Sequence, residues 1–270
     1  MKAQTDHFRV SSHAQDRIKL PGVFWAGLKS IGLTPAAVLR KSNLPSTVYS
    51  GESFVTTAQN FSIWRAIREL SNNPTLGWKF MSQVETDQYH PTLLAALHAR
   101  TYRESIERLA RYKQLCSAEE FRFTQKGDEV LVEVSWPFAG DEPAPVFLID
   151  AVFALVTELG RRGTKTKLNP KRIELARPPE PENGLEEYFG CPVKYRATRD
   201  ALILHAADWE RPFATHNDEL LQMLAPQFEN QLKAGRTKQT ILEQVKWVLK
   251  RLLSGSRPDL VMVAKELGMG

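Results

Sequence analysis

Phe121-Arg-Phe-Thr-Gln125, the turn Lys126-Gly-Asp128 and Glu129-Val-Leu-Val-Glu-Val-Ser-Trp136 place apolar side chains at every second position. A period of two throws successive side chains to opposite faces, so this stretch predicts a β-hairpin closed by a Gly-containing turn. On both sides of it the period is helical. Upstream, Phe61, Trp64, Ile67 and Leu70 recur at three-residue steps within 56–70. In 90–115, Leu93, Leu94, Leu97, Tyr102, Ile106, Leu109, Tyr112 and Leu115 share one broad face. Thr101 followed by Glu104 is a capping box that predicts a break near Arg100, and Thr34-Pro35 is a helix start. Shorter helices are expected at 20–29 and 73–81.

Downstream, 143–159 reads as an apolar helix, Lys171–Ala176 as a strand and 182–189 as a short helix stopped by Gly190. Val193–Ala197 and Ala201–His205 are expected to be two strands around the turn 198–200. His216–Lys233 and Thr237–Leu253 read as long helices, the second capped by Gly255. The order predicts an α+β fold, mostly helical with a small antiparallel sheet. A linker helix and the first helix of an incomplete helix-turn-helix would follow. The domains expected are a disordered 1–19, an effector-binding and dimerisation domain over 20–235, a linker helix over 236–255 and the start of a DNA-binding domain over 256–270.

With 270 residues, 42% of them hydrophobic, the chain can bury a sizeable core. It has no signal-peptide stretch and no apolar run near the ~20 residues that cross a bilayer, so a cytoplasmic protein without a membrane partner is expected. Cys116 and Cys191 lie far apart without ligand spacing and read as small buried side chains rather than a disulfide or a metal site. The chain carries a formal net charge of +5, and residues 236–270 hold seven Lys and Arg against three acids. The basic excess therefore sits beside the C-terminal motif, as at a nucleic-acid edge.

That motif is Arg257–Gly270. Ala264 is a small residue inside an apolar helix pattern, and Gly268 four residues later tolerates the turn a helix-turn-helix requires. Ser256 with Asp259 supplies a helix start, and Lys265 in the same helix reads equally as a phosphate contact of a complete DNA-binding domain or as a solvated lysine. Enzyme signatures are lacking: there is no Gly-rich phosphate loop, no Gly-x-Ser-x-Gly and no His-Glu-x-x-His. His205, Asp208 and His216 match no metal-ligand spacing. No catalytic, metal or cofactor residue is predicted.

Three segments carry a resemblance. They are Gly184-Leu-Glu-Glu-Tyr-Phe-Gly-Cys-Pro-Val193 continuing to Leu202, His90–Leu97 with Ser105–Tyr112, and Pro258–Met269. Together they resemble AraC-type transcriptional regulators, in the branch with an arabinose-binding/dimerisation-type sensor domain. The resemblance implies a small-molecule effector, a homodimer, and promoter DNA as the partner of a complete regulator. That family continues past its Gly-Met with a recognition helix, whereas this sequence stops at Gly270. The expected function is thus the sensor and dimerisation region of a ligand-responsive regulator. The alternative is a sensor-only protein that binds effector or heterodimerises without touching DNA.

An effector pocket is expected between sheet and helices, lined by Tyr112, Phe121, Phe123 and Trp136, with Arg111 or Arg122 anchoring a carboxylate. Leu220, Met223, Leu224 and Phe228, then Ile241, Val245 and Val248, follow helical spacing and are expected to dimerise or to link the sensor to the DNA-binding part.

Overall fold

The hairpin forms in the register its alternation requires, with Phe121 opposite Val134 and Phe123 opposite Val132. In this computed structural model residues 8–9, 16–50 and 54–237 are described. In chain order the elements are β1 (Phe8–Arg9), α1 (Gly22–Ser30), α2 (Pro35–Lys41), α3 (Thr57–Ser71), α4 (Leu76–Ser82), α5 (Pro91–Leu97) and α6 (Tyr102–Lys113). Then come β2 (Glu120–Lys126), β3 (Glu129–Ser135), α7 (Val146–Thr164), β4 (Arg172–Leu175), α8 (Leu185–Phe189), β5 (Val193–Tyr195), β6 (Ala201–His205), α9 (Ala206–Trp209) and α10 (Asp218–Thr237). The α+β class holds.

Local chemistry explains the helix starts. The Thr34 hydroxyl accepts from the Ala37 amide at 3.3 Å. Thr56 and Gln59 form a reciprocal capping box at 3.2 and 2.9 Å. The Thr101 hydroxyl accepts from the Glu104 amide at 3.2 Å, but the Glu104 carboxylate reaches back to the Arg100 amide, one residue earlier than a reciprocal box requires.

The sheet differs from the purely antiparallel one expected. Its order is β1-β2-β3-β6-β4-β5, and β4 pairs with β5 in parallel. Val193–Tyr195 and Ala201–His205 do not form a hairpin. β6 instead enters between β3 and β4, antiparallel to both. The reason is burial: Ala201, Leu202, Ile203 and Leu204 are each no more than 1% exposed, the character of a central strand, whereas β5 is half-exposed and suits an edge. The crossover through α8, between Gly184 and Gly190, both left-handed, makes the parallel pairing possible.

Residues 16–19 are ordered rather than disordered. Asp16 accepts from the Thr57 amide and hydroxyl, both at 2.6 Å, at the start of α3. Ile18 exchanges backbone bonds with Val55 at 2.8 and 2.9 Å. In place of a helix over 143–159 the chain builds α7 to Thr164, five residues further. The added turn survives its glycines because they take neighbouring rings: a Cβ on Gly160 would meet the Tyr102 ring at 2.8 Å, and one on Gly163 the Phe213 ring at 2.3 Å.

The chain divides into two compact units, 1–226 and 227–270. In the first, α7 is the central rod, with Phe147, Phe153, Val156 and Leu159 at or below 1% exposure. Of the second, only the end of α10 is described. Ile241, Val245, Val248, Ser256, Asp259, Ala264, Lys265 and Gly268 lie outside the described residues, so the linker helix and the helix-turn-helix start remain readings of the sequence.

Candidate functional site

A cavity of about 170 Å³ opens among the segment 18–24, helices α3, α4 and α7, the stretch 84–93, and the chain that leaves α6. Its walls are mainly apolar: Ile18, Leu20 and Phe24, then Trp64, Phe80, Leu93, Leu148 and Leu155. Three devices hold them in place. The Lys19 amide donates to the Cys116 carbonyl at 3.0 Å and ties the N-terminal segment to the chain after α6. Phe24, Trp64 and Phe80 meet edge to face at 5.5–5.8 Å between ring centres. From α7, the Arg162 guanidinium donates to the Ser82 and Val84 carbonyls at 2.9 and 2.7 Å and lies 5.5 Å from the Tyr89 ring centre. Arg162 thereby fixes the segment that carries Tyr89.

Polar side chains share the wall, among them Asn60, Gln88, Tyr89, His90, Lys113 and Glu119. Tyr89 is 5% exposed, and its buried hydroxyl has no hydrogen-bond partner among the described residues. Burial pushes it up to about 12, so it stays a neutral donor. Asn60, 4% exposed, stands in the same wall. Lys113 forms an ion pair with the buried Glu119, which also accepts from the Ser117 hydroxyl at 3.2 Å. Burial pulls the Lys113 ammonium down to about 8. His90 Nδ1 is engaged by Thr92 at 2.9 Å. Burial, with Lys19 nearby, lowers the pKa of its ring and favours the neutral imidazole. Burial raises Cys116, which therefore remains a thiol. A mainly apolar hollow with polar side chains placed around its wall makes this the candidate site.

The residues expected to line a pocket sit elsewhere. Tyr112, Phe121, Phe123 and Trp136 are buried, but none lines the cavity. The two phenylalanines stack on each other at 6.3 Å, Phe123 meets Trp209 at 5.8 Å, and Trp136 packs on Phe61 at 5.7 Å. Phe121 comes nearest, its ring centre 5.9 Å from the Lys113 ammonium. Arg111 and Arg122 are exposed. Tyr89, Asn60, Lys113 and Glu119 were not anticipated. A pattern search looks for polar groups in clusters, and these four are spread over 60 positions until three helices converge.

A second groove, of about 580 Å³, runs past Trp78, Lys79, Glu182 and Tyr188. There the Trp78 indole already donates to the Asn183 carbonyl at 2.7 Å, and the Tyr188 hydroxyl bonds Glu158 at 3.0 Å. It presents no comparable unsatisfied aromatic head. Asp208 pairs with Arg211 at 2.6 Å and His216 with Asp218 at 3.3 Å, and among the described residues no cluster is arranged to hold a metal ion. No described helix is long and apolar enough to cross a membrane.

Residues 32–213 match the family described as the arabinose-binding domain of AraC transcription regulator, N-terminal. The match spans most of the chain, and the chain belongs to that family. The fold is shared with the transcriptional regulator CdpR from Pseudomonas aeruginosa, at a TM-score of 0.56 and 17% identity, over 91% of this chain and 74% of that one. No curated protein is significantly similar in sequence.

Proposed function

We propose that this protein is the ligand-sensing part of an AraC-type transcription regulator, and that the cavity beside Tyr89 receives its effector. The observation that carries the reading is the cavity itself, its wall mainly apolar and including Tyr89, whose buried hydroxyl has no hydrogen-bond partner among the described residues. The family match supports a regulator rather than an enzyme. Occupancy of the chamber joins segment 18–24 to α3, α4, α6 and α7. In a complete regulator it would shift the balance between arrangements that do and do not engage promoter DNA. The basic excess over 236–270 suits a DNA-facing end. Helix α10 supplies a dimerisation surface, with Leu220 and Leu224 half-buried and Met223 67% exposed. The protein would act in the cytoplasm.

The test is a melting-temperature screen of small metabolites against the 270-residue chain, since a ligand that binds only the folded state raises its stability. A hit must lose its effect when Leu93→Trp fills the cavity. Hits that all survive that substitution place the effector elsewhere and sink the assignment.

A further inference from the structure

We infer that the cavity takes an amphipathic anion, its apolar body among the rings and leucines of the helices and its carboxylate-like head beside Lys19, His90 and Lys113. This inference rests on the reading of the cavity as the effector site.

The wall is divided by origin. Its apolar part comes from helices: Phe24, Trp64, Phe80, Leu148 and Leu155 line it from α1, α3, α4 and α7, a surface that favours burial of any apolar body. Its charged part comes from the connecting segments: Lys19 ahead of α1, His90 ahead of α5, and Lys113 with Glu119 around the end of α6. Two of these segments are tied together, because the Lys19 amide donates to the Cys116 carbonyl at 3.0 Å, just beyond Lys113. Gln88, Thr92 and Ser117 add neutral polar groups to the same wall. An apolar body with a polar head matches that division.

The sign of the head follows from the charges in the wall. Lys19, His90 and Lys113 face a single acid, Glu119. Glu119 is paired with Lys113, and of the two side chains the lysine is the more exposed, 18% against 2%. The pair therefore offers mainly its ammonium to an incoming molecule. Lys19 is exposed and adds a second positive charge. The His90 ring registers that charge: burial first, then the Lys19 ammonium, lowers its pKa, as a positive neighbour does. Glu85 and Asp87, the acids of the same segment, do not line the cavity. Glu119 offsets part of the Lys113 charge, and Lys19 tips the balance. An anionic head is attracted there and a cationic one repelled.

The experiment titrates four probes into the full chain by calorimetry: octanoate, octanamide, octylammonium and L-arabinose. The first three share one apolar chain and carry a negative, a neutral and a positive head; the last is polar throughout. At pH 7.5 and low salt, octanoate is expected to bind about fivefold tighter than octanamide, octylammonium the weakest of the three, and arabinose without detectable heat. Lys19→Gln keeps the backbone bond to Cys116. It should weaken octanoate about three- to fivefold, the range of an exposed ion pair, and leave octanamide unchanged. Added salt should narrow the same gap. In a proton NMR titration octanoate should raise the His90 pKa, and octanamide should not. Octanamide, octylammonium or arabinose matching octanoate, with Leu93→Trp abolishing the binding, overturns the anionic class while the cavity remains the effector site. The class falls equally if octanoate is indifferent to Lys19→Gln and to salt. Binding of none of the four, or binding indifferent to Leu93→Trp, overturns both.

Discussion

Asp150 shows how a single side chain records its surroundings. It is 2% exposed on α7, and its two oxygens accept from Arg177 Nη2 at 2.7 and 3.0 Å. Burial nonetheless outweighs that partner and raises the carboxyl from 3.8 to about 6. The folded chain thus holds this proton more tightly than the unfolded chain, so the associated stability is fully present below pH 3.8 and lost as pH rises through about 6. Urea unfolding at pH 7 and pH 5 should show wild type gaining stability relative to Asp150→Asn as pH falls; a loss would contradict the burial-dominated assignment. At pH 7, Arg177→Ala strands the carboxylate and should cost about 3–5 kcal/mol in the same measurement. The sequence signals neither residue, because the pair joins positions 27 apart that meet only once α7 and the end of β4 are packed. Tyr89 is equally silent: nothing in Asp87-Gln-Tyr-His90 says that its hydroxyl will be walled off from water.

At the scale of elements, the legible features were those with local causes. The Thr34, Thr56 and Thr101 starts, the break between α5 and α6 and the β2–β3 hairpin all follow from capping chemistry or a period of two. Leu70 is a small exception, 38% exposed at the end of its apolar stripe, where α3 runs out past the core. The last turn of α7 escaped because Gly160-Arg-Arg-Gly163 interrupts the apolar run. Its arginines are useful in the fold: Arg161 donates to the Leu168, Tyr188 and Phe189 carbonyls at 2.8–3.2 Å. The glycines admit Tyr102 and Phe213. Gly163→Ala, which by helix propensity alone would stabilise by about 1 kcal/mol, should instead destabilise by about 1–3 kcal/mol through overpacking against the buried Phe213 ring. Gly22→Ala, with nothing within 4 Å of the new Cβ, should leave thermal stability nearly unchanged. Equal melting temperatures for the two variants would refute the packing argument.

For the whole molecule, the proposals are a dimer through α10 and an effector in the chamber. If α10 pairs copies of the chain, sedimentation should find a dimer that Met223→Glu with Leu224→Glu converts to monomer, without loss of melting temperature. A monomeric wild type removes α10 from that role. Ligand and assembly are then separable, because the chamber lies wholly within residues 18–155.

The sequence by itself determined the α+β class, most helix limits and the family, since periodicity, caps and the Phe189-Gly-Cys-Pro-Val193 segment are local properties of the chain. Strand order and site depended on packing. β6 took the centre of the sheet because four successive apolar residues needed cover on both faces, and β5 was left at the edge. The chamber moved from the aromatic hairpin, where the rings satisfy one another, to the helical side. There, residues distant in sequence come together around a mainly apolar hollow, and only the fold brings them together.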